Sequence, residues 1–254
     1  MTLNILRPLI GVIMFLSAVP LAVAADPAPS GITLHSMRVI YPESAKKGVM
    51  FSLTNNTDQT YLMQSWMRHL DLSTGQVAAE VGNGDQTAGT IPFIITPPLK
   101  RVDAGEKLTL LIRQTRNDLP KDRESVFFVS IKAIPNTQEK EAQKGNQLVV
   151  AVVNNIKLFY RPEGLPEGGI KHAATSLSFS QQGDQLIVDN PTPFYLTFAH
   201  LAVGGNALTS SELRTLVPPK GVQKYPLHKA AKGDVQWQLL DENTEATPIQ
   251  HQSL

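Results

Sequence analysis

The chain has 254 residues and nearly balanced charge, with 23 lysine and arginine residues against 22 aspartate and glutamate residues. This length is enough for one large domain or for two domains of ordinary size. The small net charge and the absence of long runs of like charge argue against a nucleic-acid-binding protein. The chain contains no cysteine, which excludes disulfide bonds, catalysis by a thiol and thiolate metal sites.

The first 25 residues have the composition of a secretory signal peptide. Arg7 precedes an apolar run from Pro8 to Ala22, and small residues follow as far as Ala25. A basic start, a short apolar run and a small-residue end are typical of a cleaved signal. The run is short for a transmembrane helix, and no later segment is apolar enough to cross a bilayer. We therefore predict a signal peptide over residues 1–25, and an exported protein without membrane insertion that starts at Ala25 or Asp26.

Short apolar segments separated by turn residues follow the predicted signal peptide. Their alternating pattern and the lack of a helical period predict β-strands. About seven strands at this spacing are typical of an immunoglobulin-like sandwich. The main strands predicted before residue 136 are Ile32–Tyr41, Gly48–Asn55, Tyr61–Leu72, Phe93–Thr96, Lys107–Arg113 and Ser125–Ile134.

A proline- and glycine-rich segment, PEGLPEGG, starts at Pro162 and interrupts the strand pattern. Such a composition predicts an interdomain linker, which we place at residues 162–170. A second set of short strands follows it. We therefore predict an all-β fold with two immunoglobulin-like β-sandwich domains, over residues 26–161 and 171–254.

The stretch Asn146–Pro162, NQLVVAVVNNIKLFYRP, contains an apolar strand with two apolar faces. Side chains alternate between the faces of a strand. One face therefore carries Leu148, Val150 and Val152, and the other carries Val149, Ala151 and Val153. This pattern indicates either a central strand that the protein buries on both sides, or a strand with one face reserved for a partner.

A series of segments in chain order resembles one known family. The segments are Ser36–Tyr41, Gln64–Met67, Thr96–Val102, Leu119–Phe127, Ile131–Pro135, Ile156–Pro162 and Asp189–Tyr195. Together they resemble the PapD-like periplasmic chaperones of the chaperone–usher pilus pathway, over nearly the whole mature chain. The resemblance implies two domains set at an angle with a cleft between them, and a periplasmic location.

The resemblance also implies a function. Such chaperones bind, fold and cap pilus subunits that lack their last strand, and deliver them to an outer-membrane usher. The chaperone lends a strand of its own, which is a form of β-augmentation. The donated side chains would be Leu148, Val150 and Val152, and Ile156 would mark the end of the register. In the free protein we expect this exposed apolar edge strand either to associate with a second copy of the chain or to be covered by the loop before it.

Two further sets of residues take roles from the resemblance. Arg38 and Lys157 match the pair that grips the subunit's C-terminal carboxylate in the cleft. A guanidinium can donate two parallel hydrogen bonds to a carboxylate, and an ammonium adds a compact charge. An interdomain ion network that sets the angle between the domains would consist of Glu124, Arg161 and Asp241.

Other function classes have weaker support in the sequence. The six histidines show no metal-ligand or catalytic spacing, and no glycine-rich phosphate loop is present. We therefore predict no enzymatic activity, no metal and no cofactor. The alternative function is that of a structural or adhesive β-sandwich protein of the cell surface, such as a pilus subunit. The lack of cysteine and the composition of residues 26–31, DPAPSG, argue against that alternative.

Overall fold

The computed structural model describes residues 30–79, 90–136, 150–166, 168–227 and 233–254. The predicted signal peptide lies outside the described residues. So do Leu148 and Val149 of the predicted donor strand. Within the described ranges, no helix is long and apolar enough to cross a membrane.

The N-terminal half of the described chain consists of two β-sheets. Its strands are β1 (Ile32–Leu34), β2 (Arg38–Pro42), β3 (Val49–Asn55), β4 (Tyr61–Asp71), β5 (Gln76–Val77), β6 (Phe93–Thr96), β7 (Leu99–Val102), β8 (Lys107–Gln114), β9 (Ser125–Pro135) and β10 (Val152–Arg161). One sheet has the order β1-β3-β8-β6, and the other has the order β2-β10-β9-β4, with β5 and β7 both paired to β4. Strand β10 runs antiparallel to β9 and parallel to β2.

The two N-terminal sheets enclose one apolar core. In β3, Phe51 and Leu53 are buried while their neighbours are more exposed, and β8 repeats this alternation at Leu108 and Leu110. The period of two is the expected consequence of strand geometry. Full burial of each such side chain contributes about 1.5–3 kcal/mol. Core burial is therefore the main source of stability in a chain that has no disulfide.

Residues 32–41 form two strands and not the single predicted strand. Strand β1 pairs with β3 in one sheet, whereas β2 pairs with β10 in the other. Between them, the Ser36 hydroxyl donates a hydrogen bond to the Arg38 carbonyl oxygen at 2.5 Å and accepts one from the Arg38 N–H at 3.3 Å. This change of sheet places Arg38 at the start of β2, directly beside β10.

The C-terminal half has its own sheets and its own core. Its elements are α1 (Gly169–Ala174), β11 (Ser178–Gln182), β12 (Gln185–Asn190), β13 (Phe198–Val203), β14 (Asn206–Ala207), a 3-10 helix (Glu212–Arg214), β15 (Gly221–Pro226), β16 (Val235–Leu239) and β17 (Gln250–Gln252). The sheet orders are β11-β12-β15 and β14-β13-β16-β17. Trp237, Tyr225 and Leu186 belong to a core cluster separate from that of the N-terminal half.

The second core begins earlier than the sequence predicts. Gly169 and Ile170 fall in the predicted linker, yet they start helix α1, and Ile170 is 2% exposed within the C-terminal core. Gly169 packs so closely on the ring of Phe194 that an added Cβ would come within 3.0 Å of the ring. The linker between the two cores therefore ends before Gly169 and is shorter than the predicted linker of residues 162–170.

Candidate functional site

Strand β10 has an unpaired edge in its first half. On one side, β9 pairs with β10 from Val152 to Tyr160. On the other side, β2 pairs with it only from Lys157 to Arg161. Among the strands that the structure describes, none pairs with this second edge over residues 152–156. The backbone N–H and C=O groups of that edge can therefore accept an added strand.

The valines at the start of β10 and just before it are exposed. The exposed fractions are 63% for Val150, 56% for Val152 and 42% for Val153. The sequence pattern predicts that the protein covers the face that carries Val153. That prediction is wrong, because the core-facing side chains of β10 are Ile156, Leu158 and Tyr160, and Val153 lies on the opposite face of the strand. Each valine that a partner buries fully gains about 1.5–3 kcal/mol.

Ile156 is already part of the N-terminal core. Its side chain is 2% exposed and clusters with core residues such as Val129 and Leu158. The sequence places Ile156 at the end of the donated row, and in the free protein its side chain packs into its own core instead of lying exposed like Val150 and Val152. The exposed members of the predicted row that the structure describes are Val150 and Val152.

Strands β2 and β10 bring Arg38 and Lys157 side by side. The two residues are direct partners in the parallel ladder between these strands. Ile156 points into the core, so the next residue, Lys157, points to the opposite face of the sheet. This alternation explains how Lys157 leaves the face of the apolar row without any irregularity in the strand.

The surroundings of Lys157 and Arg38 disfavour the charged forms of both side chains. Burial lowers the pKa of Lys157 to about 8, and the neighbouring Arg38 charge acts in the same direction. Burial also lowers the pKa of Arg38, although the charges of Glu124, Glu242 and Asp241 oppose this effect. A like charge nearby and removal from water both disfavour a cation, whereas a bound anion would favour the charged form of both side chains.

The hydrogen-bond partners of these two cations are neutral. Arg38 Nη1 donates to the Leu240 carbonyl oxygen at 3.2 Å, and Lys157 Nζ donates to the Arg214 carbonyl oxygen at 3.4 Å. The Arg38 guanidinium carbon lies 5.3 Å from the ring centroid of Phe159, a cation–π distance that holds the guanidinium in place. The site therefore presents positioned donors that a carboxylate can use.

A second charged cluster connects the N-terminal half of the chain to the C-terminal half. Arg161 Nε and Nη2 both lie 2.9 Å from Glu124 Oε1, and Arg161 Nη1 lies 3.0 Å from Glu242 Oε1. Glu124 Oε2 accepts the Tyr195 N–H at 2.9 Å. Burial raises the pKa of Glu124, and the Arg161 charge opposes the rise. The Arg161 guanidinium also stacks 5.0 Å from the centroid of the Phe194 ring.

Asp241 has a different role from the predicted one. Its Oδ1 accepts the N–H groups of Asn243 and Glu245 at 2.9 Å each, and its Oδ2 lies 3.6 Å from Lys171 Nζ. It thereby stabilises a turn within the C-terminal half. The sequence places Asp241 in the ion network with Glu124 and Arg161, but the carboxylate of the C-terminal half that contacts Arg161 is that of its neighbour Glu242.

The site also includes Glu242 and the backbone carbonyls of Leu240 and Arg214, which the sequence does not predict. Glu242 follows Asp241 directly, so the pair of adjacent carboxylates is the signal that could have found it. Backbone carbonyls have no sequence signal, because every residue carries one. In the part of the chain that the structure describes, no group of three or more His, Asp or Glu residues is placed to hold a metal ion.

Comparison with known protein families matches both halves of the chain. Residues 31–166 match the family described as "Pili and flagellar-assembly chaperone, PapD N-terminal domain". Residues 172–247 match "Pili assembly chaperone PapD, C-terminal domain". The chain belongs to the PapD family of pilus-assembly chaperones. The resemblance in the sequence and the two-domain, all-β fold class are both confirmed.

Individual relatives in the PapD family cover most of the chain. The chaperone protein FimC of Escherichia coli O6:H1 is 35% identical over 244 residues, which are 94% of this chain and 90% of FimC. The chaperone protein FocC of Escherichia coli is 39% identical over 197 residues, 76% of each chain. A chain in the structure of Salmonella enterica SafA pilin with the SafB chaperone superimposes with a TM-score of 0.73 at 27% identity, and covers 90% of this chain and 99% of that chain.

Proposed function

We propose that this chaperone captures pilus subunits in the periplasm by adding the edge of β10 to the subunit's open sheet. The subunit's terminal carboxylate binds between Arg38 and Lys157, and the complex is then delivered to an outer-membrane usher. One observation carries the proposal: the exposed, unpaired edge of β10 runs directly into the cation pair at Lys157. A strand and its carboxylate end therefore have adjoining sites.

The comparisons support the class of partner and the location. SafB is named as a chaperone in complex with a pilin, and SfaE, 32% identical over 88% of this chain, is named a periplasmic chaperone. The composition of residues 1–25 is in keeping with export to the periplasm. The proposal of an usher rests on the family resemblance alone.

The two parts of the site have different tasks in this proposal. Backbone hydrogen bonds along β10 and burial of Val150 and Val152 supply affinity, because each buried valine contributes about 1.5–3 kcal/mol. The carboxylate site fixes the position of the subunit's chain end. A slip by one residue would reverse the face of every subunit side chain, so anchoring the end sets the register of the added strand.

Val150→Asp is expected to abolish capture of a pilus subunit while leaving the chaperone folded. The side chain is 63% exposed, so its replacement changes the free energy of unfolding by about 0.5 kcal/mol or less, whereas a buried carboxylate in the subunit groove is costly. Val222→Asp is the matched control, because Val222 is 49% exposed on β15 of the other domain. Co-purification of subunit and thermal unfolding measure the two effects. Subunit capture by Val150→Asp at the wild-type level contradicts the donor-strand assignment.

Native mass spectrometry of periplasmic extracts tests the function itself. Cells that express this chain together with a pilus subunit and no usher are expected to yield a complex of one chaperone and one subunit. A chaperone reaches this stoichiometry because one donated strand completes one subunit. Recovery of the chain only in fibres, or in head-to-tail polymers of itself, would instead support the structural-subunit alternative.

A further inference from the structure

The turn between β4 and β5 touches the C-terminal domain at Gly75. This glycine is buried and has a φ of +67°. A Cβ added to it would lie 2.6 Å from the Arg214 carbonyl carbon and 2.8 Å from the Thr215 nitrogen. The backbone of residues 214–215 therefore sits directly on the Cα of Gly75, and any side chain there would force the two surfaces apart.

Both sides of this contact are internally fixed. In the turn, Asp71 Oδ1 accepts the Ser73 N–H at 2.8 Å, and the Asp71 carbonyl accepts the Gly75 N–H at 2.8 Å. On the opposite side, the buried Tyr225 donates its hydroxyl to the Thr215 carbonyl at 3.2 Å. The next residue, Leu216, is fully buried in the C-terminal half. The contact is thus between two preformed surfaces, which can meet or separate as units.

The same contact includes the proposed anchor. The Arg214 carbonyl that rests on Gly75 also accepts the hydrogen bond from Lys157 Nζ, at 3.4 Å. A neutral carbonyl satisfies one donor of the ammonium but leaves its charge uncompensated. A carboxylate is the better partner, since a charge-assisted hydrogen bond is roughly twice as strong as a neutral one.

We propose that the turn at residues 72–75 and the segment 212–215 form a latch that closes over Lys157 in the free chaperone, and that the subunit's terminal carboxylate opens it by replacing the Arg214 carbonyl. This inference rests on the proposed anchor role of Lys157. The latch keeps an unoccupied cation pair out of reach of unrelated anions. Because only molecules with an open latch can bind the carboxylate, the apparent affinity for the subunit equals the intrinsic affinity multiplied by the fraction of open molecules.

Gly75→Ala tests the latch, with Gly105→Ala as its matched control. Gly105 has a φ of +73° in the turn before β8, and an added Cβ there meets nothing within 4 Å. Both variants carry the same backbone strain, but only Gly75→Ala disrupts the contact with Arg214. The probe is a synthetic peptide of alternating valine and threonine with a free C-terminal carboxylate, called the carboxylate peptide, and its C-terminal amide is called the amide peptide.

Gly75→Ala is expected to bind the carboxylate peptide about five- to tenfold more tightly than Gly105→Ala, a change typical of coupling between two sites. Its affinity for the amide peptide is expected to match that of Gly105→Ala. Equal or weaker binding of the carboxylate peptide by Gly75→Ala overturns the latch alone, provided that the wild-type protein prefers the carboxylate peptide. If the wild-type protein binds both peptides equally, the anchor and the latch are both overturned.

If Gly75→Ala does not fold, hydrogen exchange in the wild-type protein tests the latch. The carboxylate peptide is expected to speed exchange of backbone amides in residues 210–216, because the segment loses its cover from the turn. The amide peptide is expected to leave these amides unchanged. Unchanged or slower exchange with the carboxylate peptide overturns the latch.

Discussion

Lys157→Met is expected to weaken binding of the carboxylate peptide by about 30-fold or more. Loss of one member of a desolvated, hydrogen-bonded charge pair at an interface costs about 2–5 kcal/mol, and every 1.4 kcal/mol is about tenfold in affinity. Methionine keeps most of the length and apolar stem of lysine, so packing changes little. Titration of a fluorescent carboxylate peptide measures the effect.

The controls for Lys157→Met separate the anchor from other effects. Lys107→Met removes an exposed lysine on β8 and should bind like the wild type. Thermal unfolding of Lys157→Met should show no loss of stability, because burial and the Arg38 charge both disfavour the ammonium in the folded state. Wild-type affinity of Lys157→Met for the carboxylate peptide would contradict the anchor assignment.

Arg161→Met is expected to lower the free energy of unfolding by about 3–5 kcal/mol, because it leaves the buried Glu124 carboxylate without its cation. The side chain of Glu124 is 1% exposed and Arg161 contacts it at 2.9 Å. Arg101→Met is the control, since Arg101 makes an ion pair of the same length with Asp103 at a surface where 67% of the Arg101 side chain is exposed. Such an exposed pair contributes about 1 kcal/mol or less. Urea unfolding measures both values.

The loss of stability in Arg161→Met should depend on pH. Burial raises the folded-state pKa of Glu124, and the variant removes the Arg161 charge that opposes this rise. A carboxyl group whose pKa is higher in the folded than in the unfolded state destabilises the fold as pH rises through that interval. The deficit should therefore be smaller at pH 5 than at pH 8. A deficit equal to that of Arg101→Met would show that the contacts of Arg161 with Glu124 and Glu242 do not stabilise the fold.

The fold was largely predictable because strand alternation and turn residues are local signals. Predicted strands such as Tyr61–Leu72 and Phe93–Thr96 correspond closely to β4 and β6. Residues 32–41 read as one strand because alternation continues across the point where the chain changes sheets. At the start of helix α1, Gly169 packs against the ring of Phe194, and no local sequence pattern encodes a contact between residues so distant in sequence.

The site was predictable to the extent that side-chain type determines it. Arg38 and Lys157 carry charges that stand out in apolar strands, and the ladder pairs them. The features that the sequence does not show are geometric. Ile156 has the same parity as Val152, but parity alone does not show where the core ends along a strand. Asp241 and Glu242 are chemically alike, and only the turn that Asp241 stabilises directs Glu242 towards Arg161.

The pKa of the Lys157 ammonium, with and without ligand, tests the central claim that the cation pair awaits a carboxylate. NMR of lysine side chains, with Lys157→Met used to assign the signal, follows this pKa in the protein. The free protein should give a value of about 8, and the carboxylate peptide should raise it by at least about one unit, since an adjacent anion favours the charged form. The amide peptide should leave the pKa unchanged. A Lys157 pKa that the carboxylate peptide does not raise would contradict the account.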